Sequence, residues 1–498
     1  MRKLIIPSAG SSTRFFELGK KYPKSLLPFG NKPLITYSLT KYQNQFDEIT
    51  IVIKDNEDLY REILNYYNFK NVSIKKVSNE YTQGPATSVF LGANGLEDEL
   101  TIMLSDALYD FNILEMPLDS LSTMEVEDYS RWCMVDTDIT FYDKPTQKPP
   151  TNFALSGVYR FSEPKIFFDV ARKYIENSKN ETQLSNILEM YAMQKKLDLY
   201  KHSKEKFLDF GTVEKYIKNK NLPIGRSFND VTFTNDWVTK QSQSNPNKII
   251  NEGLWIENFP IAKNNIPKLL DIDFIEPKIK LELVNGLTLR ELFLYYDNSN
   301  NLWQKLFNII KEFLGECSKY NLESTTFWDN IYLKTFERNQ NQDIEFLEYF
   351  KKLMLDSNFY NETTLFHGDL VFSNIIYEPN RENIKIFDPM GSIYGHWVYD
   401  LAKVGQCVLG NYDLIDSEMY IKEKDYYKLF SIDKKFTENL FFQTFEKEIE
   451  KITKKVFYCL IASLYLSLIP LHSHSKLNQE LFYDEFEYFY KLSLKEKS

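Results

Sequence analysis

The first hundred residues switch repeatedly between two periodicities. Lys3–Pro7 is a short, continuously apolar run and reads as a buried strand. Leu34, Tyr37, Ser38 and Tyr42 recur at helical spacing, so Pro33–Asn44 is predicted helical. The β-branched run Glu48–Ile53 predicts a strand and the amphipathic Asp58–Tyr67 a helix. Val72–Val77, Ala86–Ala93 and Leu100–Leu104 continue the series as strand, helix and strand. Such alternation predicts an α/β unit with a doubly wound, mostly parallel, Rossmann-like sheet covered on both faces. An active site in a sheet of that kind lies beyond the carboxyl ends of its strands.

The pattern changes at Lys218-Asn219-Lys220-Asn221-Leu222-Pro223, which is polar and ends in a proline. It predicts a boundary between a domain of residues 1–222 and one of residues 223–498. Beyond it, Asp230–Phe233 and Trp237–Lys240 are strand-like. From about Thr288 the spacing is mainly helical, interrupted by a strand pair near Asn374–Tyr377 and Ile384–Phe387. The longest apolar run, Val456–Leu471, is shorter than the roughly 20 residues a bilayer span needs and reads as a buried helix. No membrane partner is predicted.

Composition narrows the function classes. At roughly 100–200 residues per domain, 498 residues make about two to four domains. With 43% hydrophobic residues the chain can fill real cores. Its net charge of −10 argues against a general nucleic-acid binder, while leaving room for a local basic pocket for phosphates. The 4 cysteines, Cys133, Cys317, Cys407 and Cys459, form no C-x-x-C pair. That excludes a disulfide framework and argues against structural zinc, in keeping with a reducing cytoplasm. Leu4-Ile5-Ile6 is too short to be the apolar part of a signal peptide.

Directly after the first strand comes Pro7-Ser8-Ala9-Gly10-Ser11-Ser12-Thr13-Arg14. Small residues let a backbone wrap a phosphate chain with its N–H groups pointing inward, and Arg14 adds a forked cation. Lys24 follows in Pro23-Lys24-Ser25-Leu26-Leu27-Pro28. Taken alone, the turn reads equally as a Gly/Ser turn with a surface arginine. The combination A-G-x-x-T-R … P-K-S-L-L-P-x-x-x-K-P-L-I resembles the sugar-phosphate nucleotidyltransferases. Four segments match further on: Gln83-Gly84-Pro85-Ala86, Leu104-Ser105-Asp106, Asp143-Lys144-Pro145 and Asp209-Phe210-Gly211-Thr212. Ser12 stands where the family has its second glycine, and Asp143 where it has Glu.

The resemblance implies that Ala9, Gly10, Ser11, Ser12, Thr13, Gln83 and Gly84 bind a nucleoside triphosphate. It implies that Arg14 and Lys24 stabilise the reacting phosphates, and that Lys144, Asn152 and Gly157 bind the sugar phosphate. Mg²⁺ would be held by Asp106 and Asp209. This is the chemistry such residues suit, because one polyanion must attack another and positioning with electrostatics suffices. Singly, each aspartate reads as a cap or a solvated loop residue.

The second domain carries Phe366-His367-Gly368-Asp369-Leu370-Val371-Phe372-Ser373-Asn374, then Ile386-Phe387-Asp388-Pro389 and Tyr399-Asp400-Leu401-Ala402-Lys403. An Asp that takes the hydroxyl proton and an Asn that holds Mg²⁺ follow kinase catalytic-loop logic. H-G-D-x-x-x-x-N … I-x-D-P … D-L-A-K resembles the aminoglycoside phosphotransferase and choline kinase family. H-G-D in place of H-R-D points to small-molecule kinases. The resemblance implies a two-lobed α+β domain with ATP between the lobes. Asp369 would be the catalytic base, with Asn374 and Asp388 as metal ligands. Lys240 and Glu252 are the candidate phosphate-binding lysine and its helix partner, and Glu282 marks the hinge that meets adenine. His367 reads as a structural brace. His396, His472 and His474 read first as structural, with a pocket role as the alternative.

Together the halves predict a bifunctional, Mg²⁺-dependent cytoplasmic enzyme. The C-terminal domain would phosphorylate a sugar with ATP, and the N-terminal domain would join a second NTP to the sugar phosphate. The nucleotide sugar would feed surface polysaccharide synthesis. The alternative is a choline, amino-alcohol or polyol kinase fused to a cytidylyltransferase. Both readings predict a small-molecule sugar or alcohol substrate and no nucleic acid.

Overall fold

The computed structural model describes residues 2–10, 23–29, 32–77, 84–93, 99–178, 181–220, 230–234, 237–242, 245–295, 301–323, 326–339, 343–379, 381–417, 419–422, 427–429 and 434–496. The chain divides into two compact units, Met1–Asn221 and Leu222–Ser498.

The first unit opens with β1 (Arg2–Ser8), α1 (Leu34–Tyr42), β2 (Glu48–Ile53), α2 (Glu57–Tyr66), β3 (Val72–Lys76), α3 (Pro85–Ala93) and β4 (Glu99–Met103). This is the alternation that the pattern predicts. β1 pairs in parallel with β2 on one side and β4 on the other, and β2 pairs in parallel with β3. Leu4, Ile5, Ile6, Ile49, Ile51, Val52 and Ile102 are fully buried. Burial on both faces explains why β1, β2 and β4 read as nearly continuous apolar runs, each such side chain contributing about 1.5–3 kcal/mol.

The chain continues through β5 (Ala107–Tyr109), β6 (Ser120–Glu125), β7 (Cys133–Val135), β8 (Phe141–Asp143), β9 (Phe153–Phe161), α4 (Pro164–Asn177), α5 (Leu184–Ala192), β10 (Asp198–Lys201), β11 (Phe207–Asp209) and α6 (Val213–Asn219). This half of the sheet is mixed. β9 runs antiparallel to β4, β6 and β7, and β10 runs parallel to β6. The strand order β8-β7-β9-β4-β1-β2-β3 reverses direction beside β1 and β4. The segments that leave the ends of those two strands therefore border the crevice where ligands of such sheets bind.

The second unit begins with β12 (Asp230–Phe233), β13 (Trp237–Gln241), α7 (Pro246–Asn258), β14 (Leu269–Asp273) and β15 (Lys278–Glu282). These four strands form an antiparallel sheet in the order β12-β13-β15-β14. Asn245 starts α7 by accepting a hydrogen bond from Lys248 N, with Pro246 in the first turn. The helix buries Ile249, Trp255 and Ile256.

Then come α8 (Leu289–Tyr295), α9 (Leu302–Cys317), α10 (Thr326–Arg338), α11 (Ile344–Leu355), β16 (Glu362–Leu365), β17 (Ile375–Glu378) and β18 (Asn383–Ile386). The chain ends with α12 (Trp397–Leu409), α13 (Tyr412–Asp416), α14 (Lys435–Ile452), α15 (Lys454–Leu468) and α16 (Lys476–Lys495). β17 and β18 form the foreseen hairpin, and β16 pairs with Tyr394–Gly395. The apolar C-terminal stretch is helical from Lys454 to His472, longer than the sequence alone indicates. By length and composition it would suffice to cross a membrane. Here Phe457, Cys459, Leu460, Ile461 and Tyr465 are fully buried within the unit.

Candidate active sites

In the first unit the site starts from three hydroxyl groups. Ser8, the last residue of β1, lies 2.6 Å from Ser25 Oγ and 2.8 Å from the Tyr60 hydroxyl, and Ser25 lies 2.7 Å from Tyr60. Burial pushes the Tyr60 hydroxyl up to about 12, against the two serine hydrogen bonds. The triangle ties the turn Lys24–Leu26 to the end of β1 and to α2. Lys24 Nζ then donates to Gly211 O at 3.1 Å and stands 3.6 Å from Asp106 Oδ2.

Asp106 follows β4, where Ser105 Oγ donates to Pro7 O at 2.8 Å. Asp209 ends β11, which pairs with β5 so that Asp209 faces Ala107, and Phe210 N donates to Asp106 O at 2.9 Å. The two carboxylates converge on Gly211. A Cβ there would lie 3.0 Å from Asp209 Oδ1 and 3.6 Å from Asp106 Oδ2. Gly211 N itself donates to Asp209 Oδ1 at 2.7 Å. Lys215 pairs with the other Asp209 oxygen and sits 4.6 Å from the centre of the Trp132 ring. The sequence reading missed Lys215. Its signal is position: Thr212 caps α6, and Lys215 lies in the first turn behind that cap.

The other expected residues are more dispersed. Gly84 leads into α3, and Gly157, at φ +104° in β9, accepts from Leu104 N at 3.0 Å. Lys144, at φ +45°, and Asn152 are exposed, and among the described residues no side-chain hydrogen bond ties either to the two carboxylates. Ala9 and Gly10 follow β1 directly. Ser11, Ser12, Thr13, Arg14 and Gln83 lie outside the described residues.

The second unit builds its site around the turn after β16. Asp400, fully buried in the first turn of α12, accepts from His367 N at 2.6 Å and Gly368 N at 2.8 Å. Burial pushes this carboxyl up to about 7, and the two amide bonds oppose the shift. His367 is also fully buried. Its Nδ1 accepts from Asp369 N at 3.3 Å, and burial pushes it down to about 4, so it is a neutral brace at pH 7. His396, fully buried, caps α12 by accepting from Val398 N.

Asp369 is held from two sides. Asn374 Nδ2 donates to Asp369 Oδ2 at 3.0 Å, and Lys403 Nζ lies 3.1 Å from Oδ1. Asn374 O accepts from Phe387 N at 3.0 Å, which joins the loop to the end of β18. There Asp388 adopts φ +61° immediately before Pro389. That is a strained backbone for a non-glycine residue, of the sort that clusters at functional sites.

Asp388 Oδ1 accepts from Lys240 Nζ at 2.7 Å, and Glu252 Oε1 accepts from the same ammonium at 2.6 Å. Burial alone would lower the Lys240 ammonium, but Asp388 and Glu252 outweigh it and hold the group above its ordinary range. Burial also pushes Glu252 up, with Lys240 opposing. Glu282 ends β15. Its amide donates to Lys268 O at 2.9 Å and its carboxylate meets Lys385 at 3.1 Å. Lys403 and Asp400 were not singled out from the sequence as site residues, although both lie in the quoted D-L-A-K segment.

Among the described residues no group of three or more His, Cys, Asp or Glu side chains is placed to hold a metal. Asp106 and Asp209 do meet at Gly211, and in the second unit the backbone bond from Phe387 N to Asn374 O brings the Asn374 loop to the strand end that carries Asp388, so each unit holds oxygen donors of the expected kind. That fits Mg²⁺, which takes one or two carboxylates and completes its shell with phosphates and water.

Residues 3–222 match the family model described as nucleotidyl transferase. The bifunctional protein GlmU of Methanococcus aeolicus is 23% identical over 193 residues, which cover 37% of this chain and 45% of that protein. The GlmU of Methanocaldococcus jannaschii is 23% identical over 201 residues, so the chain spans about half the length of these two relatives. The UTP–glucose-1-phosphate uridylyltransferase of Pseudomonas aeruginosa is 26% identical over 273 residues, covering 45% of this chain and 95% of the relative. Among solved structures, a UDP-glucose pyrophosphorylase complexed with UDP-glucose aligns with 44% of this chain and 97% of its own, at 23% identity and a TM-score of 0.38. Over residues 3–222 this chain resembles the sugar-phosphate nucleotidyltransferases.

Proposed function

We propose that the chain is a bifunctional enzyme. Its C-terminal unit phosphorylates a sugar with ATP, and its N-terminal unit transfers a nucleotidyl group from an NTP to the sugar phosphate. The observation that carries the first half is the convergence of Lys24, Asp106 and Asp209 on Gly211, within the segment that matches the nucleotidyltransferases. The kinase half is supported by Lys240 bridging Glu252 and Asp388, with Asn374 holding Asp369 nearby in sequence.

In the N-terminal unit Lys24 and Lys215 bring positive charge to where a triphosphate and a phosphate must meet. The anchored turn keeps Lys24 in place, so that stabilisation of developing charge needs no reorganisation. In the C-terminal unit Asp369 takes up the acceptor hydroxyl's proton, Asn374 orients it, and Lys240 binds ATP phosphates with Glu252 fixing its ammonium. Mg²⁺, held by Asp106 and Asp209 and by Asn374 and Asp388, would neutralise phosphate charge at each site.

Relatives named for uridylyl and thymidylyl transfer with glucose 1-phosphate favour a sugar 1-phosphate as the acceptor of nucleotide. Phosphorylation would then occur at an anomeric hydroxyl, and the product would serve surface polysaccharide synthesis. The test is a matrix of four nucleoside triphosphates against sugar 1-phosphates and phosphorylcholine, read by pyrophosphate release. A sugar 1-phosphate should give the highest rate. A faster reaction of CTP with phosphorylcholine would replace this reading by the amino-alcohol one.

A further inference from the structure

Asp369 faces a group of cations that the phosphate-transfer scheme does not use. Lys334 and Arg338 lie one turn apart on α10, and Lys403 lies one turn after Tyr399 on α12. The two helices meet where the Phe327 and Tyr399 rings approach to 6.0 Å. Lys403 Nζ is 3.1 Å from Asp369 Oδ1 and 5.9 Å from the centre of the Tyr399 ring. Lys334 Nζ reaches Met390 Sδ at 3.6 Å, and Met390 Cβ lies 2.7 Å from where a Cβ on Gly368 would be. Lys334 therefore stands over the turn that carries Asp369. Arg338 Nη1 donates to Ser467 Oγ at 2.6 Å.

The charges do not balance. Among the described residues neither Lys334 nor Arg338 has a carboxylate at ion-pairing distance, and Asp369 is already shared by Lys403 and Asn374. Asp400, the other nearby carboxylate, spends both oxygens on backbone amides. Burial, then Arg338 and Lys403, pull the Lys334 ammonium down to about 8, outweighing the opposing charge of Asp369. Partly buried cations without a counter-ion are costly, and the missing charge is what a ligand would bring.

We infer that the acceptor of the C-terminal unit is an anionic polyol, a sugar bearing a carboxylate or a phosphate, whose charge is received by Lys334, Arg338 and Lys403 while its hydroxyl meets Asp369. This rests on the kinase reading and deepens it. A cationic amino alcohol or amino sugar would meet like charge there and be rejected.

The test uses the full chain. Binding of glucuronate, glucose 6-phosphate, glucosamine and choline is measured by calorimetry, and ADP formation from ATP is followed with each. Either anion should bind at least tenfold more tightly than both cations, and the carboxylate and phosphate arms tell the two anions apart. Lys334→Met and Arg338→Gln should each weaken anion binding by tenfold or more while the melting temperature stays near wild type. Tighter binding of choline or glucosamine, failure of both anions to bind, or anion affinity unchanged in both variants would overturn the inference. Anion binding that depends on Lys334 but is never accompanied by ADP would uphold the site and overturn the kinase reading instead.

Discussion

Lys240 and Asp388 stand 148 residues apart in the chain and 2.7 Å apart in space. Glu252 closes on the same ammonium, so one lysine compensates two carboxylates, one of them wholly buried. Lys240→Met would strand both. Removing one partner of a buried pair typically costs about 3–5 kcal/mol. The unfolding transition of the C-terminal unit should therefore move to lower urea, while nucleotidyl transfer from a supplied sugar phosphate is retained below that transition. Urea titrations read by tryptophan fluorescence, alongside pyrophosphate release, check this. An unshifted transition would mean that the two carboxylates are protonated and the bridge carries no charge.

The two activities should separate by residue. Asp369→Ala removes the proposed base, and phosphorylation of the free sugar should fall by about 10²-fold or more. Nucleotidyl transfer should stay near wild type. Asp106→Ala should do the reverse, and a mixture of the two variants should restore slow formation of the final product. Loss of nucleotidyl transfer in Asp369→Ala would require a single composite site in place of two.

His396 makes a pH prediction. Burial holds this imidazole down to about 3, against 6.5 for an exposed one, and Glu362 at 3.9 Å is too far away to reverse the shift. The unfolded chain therefore binds the proton first. The stability contributed by the neutral ring is complete above pH 6.5 and is lost progressively below it. Between pH 6.5 and 5 the loss from this residue is about 2 kcal/mol. His396→Asn keeps a capping side chain without the titration, so its melting temperature should fall less steeply over that interval. Parallel slopes for both proteins would show that His396 is protonated in the fold.

Two glycines should respond with opposite sign. A Cβ on Gly286 would lie 2.0 Å from the Tyr377 carbonyl oxygen, backbone that cannot step aside. Gly286→Ala should destabilise by about 1–3 kcal/mol. Gly315, within α9, has nothing within 4 Å of its added Cβ, so Gly315→Ala should stabilise by roughly 0.5–1 kcal/mol. Denaturant midpoints of the two variants decide it.

What the sequence made legible follows from strand length and burial. β1, β2 and β4 were readable because burial on both faces writes itself as nearly unbroken apolar runs, whereas β3, Val72-Ser73-Ile74-Lys75-Lys76, was readable from its alternation alone. β5, β7, β8 and β11 were not, because three residues are too few to display a period of two. Lys278-Ile279-Lys280-Leu281-Glu282 alternates strictly and does form β15, so that strand was legible yet went unread. In the candidate sites, motif residues such as Asp106, Asp209 and Asp369 announce themselves by their neighbours in the chain. Lys334 does not, because its helix reaches the Asp369 turn only through tertiary packing, and Lys403 and Lys215, although they sit within or just behind quoted segments, show their partners Asp369 and Asp209 only in the fold.

The clasp of Ser8, Ser25 and Tyr60 has three oxygens, three protons and three short contacts. Each hydroxyl can give one proton and receive one, so the ring closes on itself in either rotational sense and carries no net charge. Added electrolyte screens attraction between charged groups, but it leaves a closed, neutral, buried ring untouched. Acid has nothing to protonate there, and base must approach pH 12 before Tyr60 yields. The turn that carries Lys24 thus keeps its place at ionic strengths that already weaken the attraction between the Lys24 ammonium and Asp106.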